Sequence, residues 1–596
     1  MMKRVIALVL CLLMLIPAFA SCAKKDENDK GAYINMYLSD IVYDLDPARA
    51  FNNEAALKVV SLVFDNLFVL DENGKVKKSL ADSYVINEDD NTEEYEMIIT
   101  LKETSWTDGT PITANDVYYA WRRLLDPNNN FEAASLLYDI KYAREAKEGE
   151  GEISIDDVCM SAINETQIRI EFDGKIDYDQ FLLKLTSYAL APLREEIVSK
   201  TEDWAKKPAT ICSSGPFKLR QVSYVPGEEK LILERNIYYY RDIAKDDLDK
   251  SVTPYRITVD YSMTDEEIMQ AYNDGKLFFV GDIPLSVRSN YADTAEIKDA
   301  LSTHIYVLNQ NALINGDALF ANAKVREALS LAIDRTAIAD AVVFAKAASA
   351  LVPYGVYDTN SKKDLFREVG GDILATTADM TAAKAALAES GITASKYSFS
   401  ISVPAYDEVH IAIAEMVCTA WNDLGFNVSV KKVNVKENEE ILKTTGEVNA
   451  DIMDDIFAQD FRAGKFEVAA IDYVSFSADA FTVLAPFAKG FTGGSTTKED
   501  SRDFTIPNHI SGYASDEYNQ LIEDAFAQKD LAVRAEILHE AEELIMKELP
   551  IIPIIYNQTA TLQHDDLSKV KFTYYGTFNF TKTKLKDYEL YIPVED

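Results

Sequence analysis

The sequence predicts an α/β protein with mixed sheets, on three observations. Stretches of helix period alternate with stretches of strand period along most of the chain. Apolar residues make up 47% of its 596 residues, ordinary for a folded protein and too many for disorder. Its 23 Gly and 17 Pro are too few for a low-complexity or collagenous chain. At roughly 100–200 residues per domain, the length suggests about three domains or more.

The first element is a targeting signal. Lys3 and Arg4 precede an unbroken apolar run from Val5 to Ile16, and Pro17-Ala18-Phe19-Ala20-Ser21-Cys22 follows. That run is shorter than the ~20 residues a membrane-spanning helix needs and fits a signal-peptide core. The polar stretch from Ala23 to Lys30 reads as a tether.

From Gly31 to about Asp46 the chain is β-like until Leu45-Asp46-Pro47 breaks it. Ala55 to Phe68 has helix period, and Tyr95, Met97, Ile99 and Leu101 alternate as a half-buried strand does. Asp108-Gly109-Thr110-Pro111 turns the chain, and Thr113 caps a helix from about Val117 to Leu125. Further strands are expected at Ile168–Phe172, Leu231–Leu233 and Ile257–Val259. The second half is richer in helix. The pattern predicts one long helix over Ala323–Phe344, an Ala-rich one ending at Gly391, and a third over Val409–Leu424 leading into strand Phe426–Val430. Asp530–Leu549 is a charged-faced helix stopped by Pro550, ahead of the apolar strand Ile551–Tyr556.

Charge excludes some partners. Ninety-eight Asp and Glu against 60 Lys and Arg give a formal charge of -38, which repels phosphate backbones, so no nucleic-acid partner is expected. Cys159, Cys212 and Cys418 have no paired spacing and read as free thiols, although one disulfide among them stays open. No phosphate-binding Gly-rich loop, nucleophile elbow or H-x-x-x-H pair is present. His304, His410, His509, His539 and His564 are scattered, and each reads as a surface or satisfied core residue. Asp451, Asp454, Asp455 and Asp460 lack the spacing of a calcium loop. No enzyme motif, metal or cofactor is indicated. Tyr238-Tyr239-Tyr240 beside Arg241 is a candidate ligand or hinge cluster.

Several strings in fixed order carry a resemblance: Ser105-Trp106-Thr107-Asp108-Gly109-Thr110-Pro111 running on to Asp116-Val117, Trp121-Arg122-Arg123, Ser214-Gly215-Pro216-Phe217, Val325-Arg326-Glu327-Ala328-Leu329 through Asp334-Arg335, and Pro550-Ile551-Ile552-Pro553. With these the chain resembles the large solute-binding proteins of bacterial peptide ABC importers, the oligopeptide- and dipeptide-binding family. Cys22 after Ala20-Ser21 is similar to the lipobox of bacterial lipoproteins, with Phe19 where Leu is usual.

The resemblance implies a two-lobed periplasmic-binding-protein fold of the class with an extra domain. A signal peptide at 1–21 and a lipid-anchored tether at 22–30 would precede lobe I at 31–63 and 194–303, the extra domain at 64–193, lobe II at 304–564, and a return to lobe I at 565–596. The crossovers near Thr303 and Asp565 would be the hinge. It further implies a monomer anchored through Cys22 on the outer face of the cytoplasmic membrane or in the periplasm, taking peptides or a related small solute to ABC permease subunits. A peptide-sensing or adhesion lipoprotein, or a binder of a non-peptide solute, is the alternative. Ligand contact is expected from Ala50, Phe51, Asn52 and Asn53, from Phe131 and Tyr306, and from Asp472, Tyr473, Val474, Ser475 and Phe476. Peptide binders of this family carry an Asp for the peptide ammonium where Phe476 stands, so the expectation is that Asp472 or Asp479 replaces it or that the ligand lacks a free amino terminus.

Overall fold

The computed structural model describes residues 30–50, 53–149, 153–240, 251–359, 363–437, 452–497 and 504–593. The signal, Cys22, Phe51, Asn52, Arg241 and Asp451 lie outside them. In chain order the first half supplies β1 (Tyr33–Tyr37) and helix α1 (Glu54–Val63). A small sheet follows, of β2 (Ala81–Asp89), β3 (Glu94–Leu101), β4 (Met160–Asn164) and β5 (Gln167–Glu171), with helix α2 (Ala114–Leu125) inserted after β3. Then come β6 (Phe217–Ser223), β7 (Lys230–Arg235), β8 (Arg256–Asp260), β9 (Phe279–Val280) and the long β10 (Glu296–Leu308). The second half adds β11 (Ala345–Ala347), β12 (Ser398–Pro404), helix α3 (Glu408–Asp423), β13 (Asn427–Val433) and helix α4 (Ile456–Arg462). It ends with β14 (Val468–Val474), helix α5 (Leu531–Glu548) and β15 (Ile551–Gln563).

One eleven-stranded mixed sheet runs in the order β13-β12-β14-β10-β15-β9-β1-β8-β7-β6, with β11 on β15. Its two ends are built from the two halves of the chain, and β10 and β15 join them. These two strands pair antiparallel from Glu296↔Thr561 to Val307↔Ile551, with the register shifting between Asp299 and Thr303 and again between His304 and Ile305. Leu562 and Val280, and Gln563 and Phe279, also pair, so β15 reaches the first half's strands before it ends. The four-stranded sheet is separate and antiparallel, in the order β2-β3-β5-β4.

The motif strings hold these parts together. The indole of Trp106 donates to Asp116, which also accepts from the backbone N–H of Thr113 at 2.7 Å and so fixes the start of α2. Arg326 donates to the carbonyl of Glu548 at 2.9 Å and Arg335 to that of Pro553 at 2.7 Å. Both arginines therefore pin the junction of α5 and β15. The helix expected over Ala323–Phe344 is two helices, Ala323–Leu331 and Arg335–Val342. Asp334 breaks it by accepting from the N–H of Ala337 at 2.9 Å, the geometry of a helix start. Gly391 and Gly425 do end helices, with φ of +73° and +108°. The three cysteines are free thiols.

Tyr239 and Tyr240 are not a ligand cluster. Their hydroxyls donate to buried Asp65 at 2.9 and 3.2 Å, joining the chain after β7 to the end of α1. Gly215 serves the same joint: its N–H donates to the carbonyl of Val63 at 2.8 Å. A Cβ at Gly215 would lie 2.6–2.8 Å from the backbone of Val63 and Phe64, which cannot yield as a side chain can. Gly215→Ala is therefore expected to cost about 1–3 kcal/mol, seen as a lower thermal midpoint, and an unchanged midpoint would contradict this packing.

Candidate functional site

Between the two halves lies a cavity of about 1370 Å³, above the ~300–1,000 Å³ usual for small-molecule pockets. The turn after β1 and the start of α1 form one wall, and the starts of α3 and α4 with the end of β14 form the facing one. The turn is rigid for a chemical reason. Asp46 is fully buried, takes a two-point contact from Arg123 at 3.1 and 2.5 Å, and accepts from the N–H of Ala48. Burial works against the Asp46 carboxylate, but Arg123 outweighs it and holds the group below the usual carboxylate range. The same Arg123 lies over the ring of Phe131 at 4.7 Å. Asn53 closes the turn by capping α1, accepting from Ala56 N–H at 2.9 Å.

The walls meet around the cavity. Lys206 and Asp454 pair at 2.8 Å across it, and the rings of Tyr43 and Tyr406 stand 5.4 Å apart, edge to face. Near its rim the N–H of Phe131 donates to the carbonyl of Gly493 at 3.2 Å. Any Cβ at Gly493 would meet that Phe131 carbonyl at 2.1 Å, so the two halves touch there backbone to backbone.

On the second wall Asp472 faces inward from β14 and is 22% exposed. Its strand neighbour opposite is His304, whose Nδ1 is 2.9 Å from one carboxylate oxygen. The other oxygen is 3.1 Å from Nε2 of His410, in the first turn of α3. That nitrogen is also 3.4 Å from the helix-capping Asp407. Burial lowers the affinity of His410 for a proton, yet Asp407 and Asp472 outweigh it and push its pKa up to about 10. Burial and then the His410 charge push His304 down, so one imidazolium and one neutral imidazole flank a carboxylate held well below its usual range. The three side chains offer two nitrogens and an oxygen within 4.8 Å, a donor set suited to a transition metal, but these atoms engage one another as ion pair and hydrogen bonds, while His304 Nε2 and His410 Nδ1 are buried without a partner among the described residues.

The expected site residues divide. Ala50, Asn53, Phe131 and Asp472 line the cavity. Tyr306, Tyr473, Val474, Ser475 and Phe476 do not; all five are buried in the core. Tyr473 is the instructive correction. Strand neighbours face opposite sides, so turning Asp472 to the cavity sends Tyr473 the other way, where its hydroxyl donates to the carbonyl of Val483 at 2.9 Å. Tyr306 packs on Trp421 at 5.9 Å. Asp479 is spoken for as well, in a buried pair with Arg534 at 2.8 and 3.0 Å. Sequence reasoning missed the meeting of His304, His410 and Asp472, because three separate elements bring it about.

A comparison of the chain with family models now gives its class. It belongs to the bacterial extracellular solute-binding proteins, family 5, whose middle-region model matches residues 75–495. The chain is 26% identical to the dipeptide-binding protein DppE of Bacillus subtilis over 556 residues, 92% of this chain and 90% of that one. Its fold is that of Listeria monocytogenes OppA bound to peptide, with a TM-score of 0.74 at 21% identity, covering 93% of this chain and 99% of that one. It is likewise that of the pheromone receptor PrgZ, at 0.75 and 20%, covering 94% and 100%. The fold is thus the two-lobed periplasmic-binding-protein fold, α/β with mixed sheets.

The His410 pKa has a testable sign. Raised above its ordinary 6.5, it adds stability that is complete below pH 6.5 and lost as pH climbs through about 10. NMR of the imidazole nitrogens should show His410 still protonated at pH 8, and a midpoint near 6.5 would contradict the triad.

Proposed function

We propose that this protein captures peptides in the cavity between its two lobes and delivers them to an ABC importer, without performing chemistry on them. The observation that carries the reading is the cavity itself, walled by both halves of one sheet and larger than a small metabolite needs. Relatives named dipeptide- and oligopeptide-binding proteins, one of them solved with peptide bound, support the choice of ligand. ATP hydrolysis would belong to separate subunits. The alternative of a sensing lipoprotein draws on one observation, the likeness to a pheromone receptor.

In this reading lobe I is 31–63, 194–303 and 565–596, the extra domain is 64–193, and lobe II is 304–564. The lobes flex where β10 and β15 lose register, near Thr303 as expected but around Asn557 rather than Asp565, since β15 beyond Asn557 already pairs with strands of the first half; the Asn557 side chain donates to Ser302 at 2.9 Å and Glu54 at 3.0 Å. The protein is a monomer tethered through a diacylated Cys22.

Two experiments test this. Native mass spectrometry of the purified protein should show a retained adduct that fragments as peptide; a sugar or other non-peptide adduct would overturn the ligand. Cys22→Ala should release the protein from the membrane fraction, and an unmodified Cys22 in membrane-bound protein would refute lipid anchoring.

A further inference from the structure

The capture of peptides gives no role to the cluster of His304, His410 and Asp472, yet the cluster is built as a binding site is. Among the described residues it is the one place where three side chains of the kinds that ligate metals converge. The other histidines lack such company. His539 meets a single carboxylate, Asp358, at 2.7 Å, His564 stands 3.7 Å from Asp566, and His509 lies 2.9 Å from the Ser511 hydroxyl. Here two imidazoles, one from β10 and one from the first turn of α3, turn their inner nitrogens toward one carboxylate of β14. The two rings stand edge to face with centroids 4.4 Å apart. Asp407 adds a fourth donor. One of its oxygens caps α3 by accepting from the N–H of His410 at 2.9 Å, and the other lies 3.4 Å from His410 Nε2.

Two further observations point to a cation. The outer nitrogens, His304 Nε2 and His410 Nδ1, are buried with no partner among the described residues. Which ring nitrogen of a histidine carries the proton is set by the hydrogen bond that the other one makes. With no such bond outside the cluster, both inner nitrogens are free to present a lone pair. The second observation is charge. Asp40 lies near Asp407 and Asp282, and Glu54 near Asp472, so five carboxylates share this corner of the cavity. The positive charges among them are Lys58, Arg288 and the proton held by His410. Fully ionised, the carboxylates outnumber those charges, and an ion of charge two in place of that proton reduces the excess.

We propose that His304 Nδ1, His410 Nε2 and an oxygen of Asp472, with Asp407 beside them, bind one divalent transition-metal ion of the zinc class at the wall of the cavity. Two imidazole nitrogens with carboxylate oxygens suit zinc, nickel or copper, whereas calcium and magnesium take oxygen ligands. The ion occupies the place between His410 and its two carboxylates that a proton otherwise fills, and that proton leaves to solvent. The proton between His304 and Asp472 moves to the outer nitrogen of His304. Because Asp407, His410 and Asp472 line the cavity, the ion enters from it, and a solute held there meets the ion. The inference does not depend on the solute being a peptide.

The test titrates the full chain, purified without a histidine tag and stripped with a chelator, with zinc chloride by isothermal calorimetry. One zinc ion should bind per chain, and calcium or magnesium at the same concentration should not displace it. Asp472→Asn and His410→Gln should each weaken zinc about 100-fold or more, at or above the top of the ~10–100-fold range for losing a residue that only supports a ligand. His539→Gln, at a histidine–carboxylate pair elsewhere, should leave the affinity unchanged. Should a ligand variant fail to fold, the wild type still decides. Zinc should shift the imidazole nitrogen signals of His304 and His410 in the NMR spectrum and leave those of His509, His539 and His564 in place. The absence of a saturable site, zinc binding that survives both ligand substitutions, or His304 and His410 signals unmoved at saturation would overturn the proposal.

Discussion

Strands β10 and β15 are the constraint on which the rest depends. Both run thirteen residues, and both belong to the two halves at once. A ladder of backbone hydrogen bonds forbids them to slide, because slipping one residue would turn every buried side chain outward. Rotation is still allowed where the ladder is interrupted, and its register shifts twice in close succession, between Asp299 and Thr303, beside Asn557, and between His304 and Ile305. A wide sheet that bends at one place lets two rigid walls meet without either repacking. The cavity is the space between those walls, and its residues come from both sides of the bend.

Rigidity of each wall comes from buried charge as much as from apolar packing. Arg367 and Glu542 pair at 2.7 Å with about 1% exposure between them, and Arg534 and Asp479 pair nearby. Losing one member of such a pair costs more than the pair contributes, because an uncompensated charge is left behind. Asp46 and Arg123 apply the same rule at the cavity's edge, and Arg123 passes it on to Phe131. In a chain of net charge -38, most acidic residues are solvated, and the few that are not fix the architecture.

The fold was largely legible because local rules wrote it. Thr113 and Asp116 announce a helix start, Gly391 and Gly425 announce helix ends, and the structure keeps all four. Ala323–Phe344 misled because its apolar period continues through Asp334, whose side chain can equally start a new helix. The site was much less legible. His304 and Asp472 are 168 positions apart and meet only through the pairing of β10 with β14. Tyr473 and Asp472 show the limit most clearly: alternation says that one faces the cavity, and only the register says which.

The most direct test of this account is small-angle X-ray scattering of the full chain, free and saturated with a peptide it retains. Two lobes bending about β10 and β15 predict a smaller radius of gyration with ligand and one well-defined compact form. Identical scattering curves in the two states would contradict the closing of the walls on a captured solute.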